Sequence, residues 1–397
     1  SRGLGDVYTR QGNESMNCTR RSFLKGSLAT IFFSNFNIPL YGSISNPKKN
    51  LVIISLRGGM DGLTAVPVND ILINKYRSDL ILNNKLKLNS DFSLHPKLKT
   101  LHNLWSQNLA AVIHATNVPY TGRSHFDGQN IMETGALKAY TKKTGWLGRG
   151  MKSSGLYGSS LALSLPMPLL LRGVEGNNNY FPTWMHLPKR EVIERITRAY
   201  DGIEHDKLQE VYNVIMNRPL TMQGGDETLD SLSKRTAKIL KDPLGPKVAV
   251  FDIEGFDTHT AQGTDNGEHA DNLHDIDLII KNLHTGMGSD FNNTLILTLT
   301  EFGRTVEQNG GNGTEHGYGS AILMAGGLLK KSQVFTDWPG LKKNSLFEGR
   351  DLNSTIDARS IYASAMSSVF DTDFEKIKRE VFWEQNIKNY SENLFKA

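Results

Sequence analysis

Four short apolar runs limit what this chain can fold into more than any other feature. Residues 51–56 (LVIISL), 109–115 (LAAVIHA), 248–253 (VAVFDI) and 295–299 (LILTL) are too short for globular helices and rich in β-favouring side chains. They lack the apolar–polar alternation of a strand with one wet face, so they read as strands buried on both faces of a largely parallel sheet. Residues 161–165 read as a further strand, stopped by Pro166-Met167-Pro168, and 320–329 as another. Helical spacing appears between and after them. Leu98, Leu101, Leu104 and Trp105 share one face, as do Leu273, Ile276, Ile280, Leu283 and Met287, and then Ile361, Ala365, Met366 and Val369. Strands alternating with helices predict the α/β class. Residues 189–242 read as a charge-mixed helical insertion, split near 219–226, that acts as a cap beside the sheet.

At 397 residues the chain is long enough for one large domain or two ordinary ones. Its formal charge of +4 is uneven. Residues 1–45 carry Arg2, Arg10, Arg20, Arg21 and Lys25 against Asp6 and Glu14, which leaves about one positive charge for everything after. Nothing in that balance calls for nucleic acid. Residues 19–25 (TRRSFLK) closely resemble the twin-arginine export motif, and a moderately apolar stretch and the small residues Gly42, Ser43 and Ser45 follow. That order is the order of a cleavable signal, with Ser43 and Ser45 as the small pair before the cut. Residues before Met16 read as an upstream extension. The expectation is therefore a leader over 1–45 and one α/β domain over 46–397. The twin-arginine translocase is the expected partner during export, and the destination is periplasmic or cell-surface. The sole cysteine, Cys18, falls in the leader, so the mature chain has no disulfide or thiolate chemistry. No later stretch approaches about eighteen consecutive apolar residues, so no membrane span is expected after cleavage.

Candidate site residues gather where the apolar runs end, which is where open α/β sheets hold their ligands. The first run ends in RGGMDG, whose glycines permit a tight turn and close backbone approach; Asp61 there is an acid at a strand end or an Asp-Gly turn residue. In residues 120–135, Ser124 and Asp127 match a capping box and predict a helix start. A hydroxyl at a helix amino terminus lies in a positive field that favours its alkoxide and binds anions. His125 is adjacent, about 100° round the helix, and so is poorly placed as the direct base for Ser124. No Gly-x-Ser-x-Gly elbow is present. Metal activation of Ser124 fits better. Asp257 and His259 stand two residues apart on a strand end or loop and point the same way. They are ligand types for zinc or manganese, or else a hydrogen-bonded pair that orders a loop. Glu301 follows the 295–299 run, His316 lies in the Gly/Asn-rich loop beyond, and Arg123 and Arg304 supply cations for an oxyanion. Acids, imidazoles, one hydroxyl and arginines are the parts of metal-assisted phosphoryl or sulfuryl transfer. His114, inside a run, reads as a satisfied interior histidine.

RRSFLKG, LRGGMDGL, Leu94-His95-Pro96, GRSHFDGQNIMETG, GFDTHTAQG, TEFGRT, GTEHG and TIDARSIYASAM, in this order, resemble the bacterial domain-of-unknown-function 1501 family. That family is similar to the alkaline phosphatase superfamily, which includes sulfatases and phosphoglycerate mutases. The resemblance implies a three-layer α/β sandwich, mostly parallel with helices on both faces, a metal pair and a Ser or Thr nucleophile. Asp61 then resembles the first-strand metal aspartate, Ser124 the nucleophile, and Asp257 with His259 the mid-chain ligands of one metal. Thr300-Glu301-Phe302-Gly303 resembles the strand-end Ser/Thr-Asp-His-Gly motif, and His316 the last histidine ligand. Phe302 stands where that motif has a metal-binding histidine. The Asp257–His259 spacing is shorter than Asp-x-x-x-His, and Glu315 stands where the family has Asp. The expected activity is an exported metal-dependent hydrolase of phosphate or sulfate esters on an anionic small molecule or glycan. It would use one or two divalent ions, zinc or manganese before magnesium or calcium. The alternative is a catalytically inactive binding or assembly protein of the cell envelope on the same fold.

Overall fold

The structure, a computed structural model, describes residues 48–163, 167–179, 228–243, 245–383 and 386–396. All described residues belong to one compact unit. The expected leader over 1–45 and the part of the insertion over 189–227 lie outside them.

The strands in chain order are β1 (Asn50–Leu56), β2 (Leu86–Lys87), β3 (Ser93–Leu94), β4 (Ala110–Asn117), β5 (Ser160–Ala162), β6 (Asn178–Asn179), β7 (Val248–Ile253), β8 (Thr294–Thr300), β9 (Ser320–Ala325), β10 (Val334–Phe335) and β11 (Ile356–Asp357). The helices are α1 (Gly62–Ala65), α2 (Ile71–Tyr76), α3 (Lys99–Trp105), α4 (His125–Thr134), α5 (Trp146–Ser153), α6 (Leu229–Lys241), α7 (Glu268–Met287) and α8 (Ala358–Val369), with short turns after them. Nine strands form one sheet in the order β10-β4-β9-β8-β1-β7-β5-β6, with β11 also on β4. β1 runs parallel to β7 and β8, and β9 alone is antiparallel to both its neighbours. The four apolar runs are thus β1, β4, β7 and β8, as their sequences require. The expected strand at 161–165 is shorter, β5 ending at Ala162.

Side chains alternate across the sheet into two cores. Leu51, Ile53, Val248, Val250, Leu295 and Leu297 face one side with Met132, Trp146 and Tyr362 from α4, α5 and α8. Val52, Ile54, Ala249, Phe251 and Ile296 face the other with Leu101, Leu240, Leu273 and Ile280 from α3, α6 and α7. Two buried faces explain the near-continuous apolar runs. The result is the mostly parallel α/β sandwich expected, with helices on both faces. No helix among the described residues is long and apolar enough to cross a membrane.

Register fixes where chemistry gathers. Leu56 pairs with both Ile253 and Thr300, so β1, β7 and β8 end together and release residues 57, 254 and 301 at one sheet edge. β4 is antiparallel to β9, which is antiparallel to β8, so β4 ends at that edge too and leads into α4.

Two buried histidines contribute to stability as neutral rings. His114 holds Val66 O at 3.0 Å through Nε2 and accepts from the Ala115 N–H at 2.8 Å, at a bulge where Ala115 has φ 55°. Burial pushes His114 down to about 4 and His269 down to about 3. Both values lie below the ordinary ~6.5, so on acidification the unfolded chain takes up these protons first. The contribution of these two rings to stability is expected to be level above about pH 7 and to fall below ~6.5, by up to about 1.4 kcal/mol per pH unit for each ring. Urea unfolding at several pH values checks this; equal stability at pH ~5 and ~7 contradicts neutral burial.

Candidate metal centre

Three segments at the common edge meet at one point. The loop after β7 carries Asp257 and His259, α4 begins with His125, and the loop after β8 returns His316 beside Arg304 through an antiparallel bridge. Asp257 Oδ1 lies 3.0 Å from His316 Nε2 and 3.1 Å from His259 Nε2, and Asp257 Oδ2 lies 3.2 Å from His125 Nε2. The His259 and His316 Nε2 atoms are 3.0 Å apart. Ligand atoms of His125, Asp257 and His316 all fall within 4.8 Å of one another.

The other ring nitrogens show why these contacts point to a cation. His125 Nδ1 meets Glu301 Oε1 at 2.9 Å, His259 Nδ1 meets Glu315 Oε2 at 2.9 Å, and His316 Nδ1 meets the Arg123 carbonyl at 2.8 Å. Carboxylates and carbonyls only accept, so each Nδ1 carries a proton, and whenever a ring is neutral its Nε2 lone pair turns inward. Two bare lone pairs 3.0 Å apart beside a carboxylate repel, so a positive charge, either a shared proton or a cation, belongs among them. Ligands about 2.05 Å from a tetrahedral zinc stand about 3.3 Å from each other, close to the edges seen here. His125 Nε2 is buried with no hydrogen-bond partner, as an atom awaiting a cation would be. Each Nδ1 partner also fixes a ring, the arrangement by which metal histidines are held. His125, Asp257 and His316 therefore fit one divalent ion, with His259 beside them against Asp257.

The charges are set for the same task. Burial raises the Asp257 carboxyl, but Arg304 and His316 outweigh it and bring it down to about 2. Burial also opposes ionisation of Glu301, yet His125 and the Gly58 and Gln129 donors keep it below the usual range. Burial lowers His316, which favours its neutral form. His125 is raised, first by its hydrogen bond to Glu301, so without a cation the two carboxylates around it favour a protonated ring. The Asp257 and His259 side chains are 46% and 37% exposed, which leaves one side of the cluster open to solvent.

Of the residues singled out in the sequence, Asp257, His259 and His316 come together. Glu301 stands one layer behind, gripping His125 rather than facing the cluster. Asp61 is elsewhere: it caps α1, and its Oδ2 takes Arg77 Nη1 at 2.6 Å, Thr64 Oγ1 at 2.7 Å and Gln262 Nε2 at 2.7 Å. Burial opposes its charge, but Arg77 holds its carboxyl far below the carboxylate range. Ser124 caps α4, its Oγ accepting from the Asp127 N–H at 3.5 Å. Arg304 is 1% exposed and donates to the carbonyls of Gly58, Gly59, Phe256 and Thr314 and to Asp257, so it is committed to protein acceptors. Arg123 Nη2 pairs with Glu348 and Asp351. Phe302, which stands where the resembled motif has a metal-binding histidine, is fully buried against the rings of His125 and His316, centroids 5.0 and 4.9 Å away. His125 was not singled out as a ligand. From the sequence it reads only as a poorly placed base for Ser124, although a histidine opening a helix after a buried strand is itself a ligand signal.

Residues 240–370 match the family described as "Protein of unknown function (DUF1501)", which bears out the resemblance read from the sequence. That stretch holds Asp257, His259, Glu301, Arg304 and His316; Asp61, Arg123, Ser124 and His125 precede it. No curated protein matches the chain. Similar solved structures include the C-terminal periplasmic domain of EcEptC from Escherichia coli, at 10% identity and TM-score 0.43, covering 88% of this chain and 90% of that one. Murine ectonucleotide pyrophosphatase/phosphodiesterase 5 has 9% identity and TM-score 0.42, covering 87% and 100%. A protein in the alkaline phosphatase superfamily from Vibrio parahaemolyticus has 10% identity and TM-score 0.37, covering 89% and 76%. At these identities and TM-scores the likenesses carry no conclusion about this chain's chemistry.

The placement of Asp61 gives a direct test. Asp61→Asn leaves the Arg77 guanidinium buried without its counter-charge, and stability is expected to fall by about 3–5 kcal/mol. Metal content of the folded variant should match the wild type. A loss of bound metal at unchanged stability would return Asp61 to the role read from the sequence.

Proposed function

We propose that the chain is an exported metal-dependent hydrolase of phosphate or sulfate esters, built on one divalent cation held by His125, Asp257, His259 and His316. The observation that carries this reading is the convergence of three Nε2 lone pairs on one carboxylate, each ring fixed from behind by an acceptor at Nδ1. Three imidazoles and a carboxylate suit zinc better than manganese, and magnesium or calcium least. One ion fits better than two, because Phe302 fills the flank and Arg77 occupies Asp61. When bound, such a cation polarises an ester oxygen and offsets developing charge. The chain's own residues do the rest. Glu301 and Glu315 orient His125 and His259, Arg304 keeps Asp257 anionic and aimed, and the half-exposed Asp257–His259 side admits the substrate. Ser124, half-buried at the positive end of α4 and next to His125, is the nucleophile in this reading. The twin-arginine-like RRSFLKG supports export to the periplasm or cell surface.

A second reading, a catalytically silent binding or assembly protein, draws on a specific observation. Both arginines read as oxyanion contacts are paired to protein acceptors, and the Ser124 hydroxyl serves as a helix cap. The two readings part on activity and agree on the metal.

Purified mature protein is expected to carry about one zinc per chain by elemental mass spectrometry. His316→Ala and Asp257→Asn should empty the site, and Glu301→Gln should weaken metal affinity about 10- to 100-fold by releasing His125. On a panel of phosphate and sulfate esters the wild type should turn over, chelator should stop it, and Ser124→Ala should stop it with zinc retained. A zinc-loaded protein inert on every ester leaves the second reading. A metal-free protein that resists loading sinks both.

A further inference from the structure

Among the described residues, five large hydrophobic side chains stand in solvent, and four of them lie on α4 or on the segments in contact with it. Phe126 is 81% exposed, Tyr140 65%, Leu137 51% and Trp383 50%. Phe126 follows the ligand His125 in α4 and sits one turn before Asn130. Asn130 Oδ1 accepts from the Tyr140 N–H at 2.8 Å, which folds the segment after α4 back along the helix. Gly135, which ends α4, lies against the Phe382 ring, one residue before Trp383. Lys142 Nζ stands 4.0 Å over the Trp383 ring. The same segment carries Lys138, Lys142 and Lys143, all exposed, and residues 137–143 contain no acid. None of the three lysines forms an ion pair with a described residue.

The backbone makes this exposure more telling. Tyr140 has φ 62° and Trp383 φ 56°, a left-handed conformation that glycine or asparagine adopts with less strain. Two aromatic rings are thus held outward at positions where the local chain favours small residues. Apolar side chains displayed beside lysines that lack a carboxylate partner mark an interaction surface.

We propose that this face docks on an anionic lipid surface, with Phe126, Leu137, Tyr140 and Trp383 entering the interfacial layer and Lys138, Lys142 and Lys143 on the headgroup charges. Tyrosine and tryptophan favour that layer, and each lysine adds attraction to anionic lipid. An anionic polysaccharide shares the charge complementarity but stacks on ring faces. Here the Trp383 face is taken by Lys142 and by the Arg149 guanidinium 4.7 Å away, and Leu137 has no ring to offer. Docking in this way brings the amino terminus of α4, and with it the metal cluster, to the membrane surface. The proposal does not depend on the hydrolase reading.

Sedimentation of the full mature protein with vesicles tests it. Binding to vesicles of phosphatidylglycerol and phosphatidylcholine, absent with phosphatidylcholine alone and released by high salt, is the expected result. The Phe126→Ser/Leu137→Ser variant should bind at least about tenfold more weakly, since these side chains provide the buried apolar area. The Lys138→Gln/Lys142→Gln/Lys143→Gln variant should bind about a hundredfold more weakly. Unchanged melting temperatures and zinc content show that the variants are folded. No binding to either vesicle, equal binding by the variants, or retention on dextran sulfate without vesicle binding overturns the proposal.

Discussion

The buried Arg304 guanidinium is the contact on which the site depends. It reaches Gly58 O and Gly59 O after β1, Phe256 O and Asp257 after β7, and Thr314 O in the loop after β8. A buried cation is costly unless its donors are met, and meeting them here requires three separate strand-end loops to arrive together. The loops are therefore locked to one another through a single planar group. The close approach also explains Gly58, whose added Cβ would stand 2.4 Å from Asp257 N at a φ of 116°. Asp257 inherits its position from this clamp, and the three histidines converge on Asp257.

The histidines are fixed from the other side by unlike acceptors. Two carboxylates and one backbone carbonyl take the Nδ1 protons, so ring orientation does not rest on the cation alone. Glu301 is the most constrained of these acceptors, being fully buried and also bonded to Gly58 N and Gln129. Its neighbour Phe302 closes the flank between His125 and His316 with an apolar ring, and the exposed side of the cluster is at Asp257 and His259. The amino terminus of α4 then serves two surfaces at once: His125 turns into the cluster while Phe126 turns out to solvent.

Much of this was legible in the sequence, for definite reasons. A strand buried on both faces cannot alternate, so β1, β4, β7 and β8 announce themselves as continuous apolar runs, and polar residues at their ends mark the functional edge. Asp257, His259 and His316 could be picked because loops leaving such an edge have little reason to carry imidazoles. Asp61 and Glu301 looked alike by the same rule, as acids just past strand ends, and the structure gives them different work. Asp61 turns to Arg77, sixteen residues on, and Glu301 turns to His125, 176 residues back. Arg123 and Arg304 looked like free cations because a sequence does not show which carbonyls and carboxylates will surround a guanidinium.

By itself, then, the sequence determined the α/β class, the sheet edge where the polar residues gather and most of the residues that meet there, since each follows from local periodicity and composition. Only the tertiary structure decided which acid faces the cluster and which stands behind it, that His125 joins Asp257, His259 and His316, and that four apolar side chains in and around α4 are left exposed. Those outcomes depend on distances between segments far apart in the chain, set by strand register and by the buried pairs that had to be satisfied, and no local pattern encodes them.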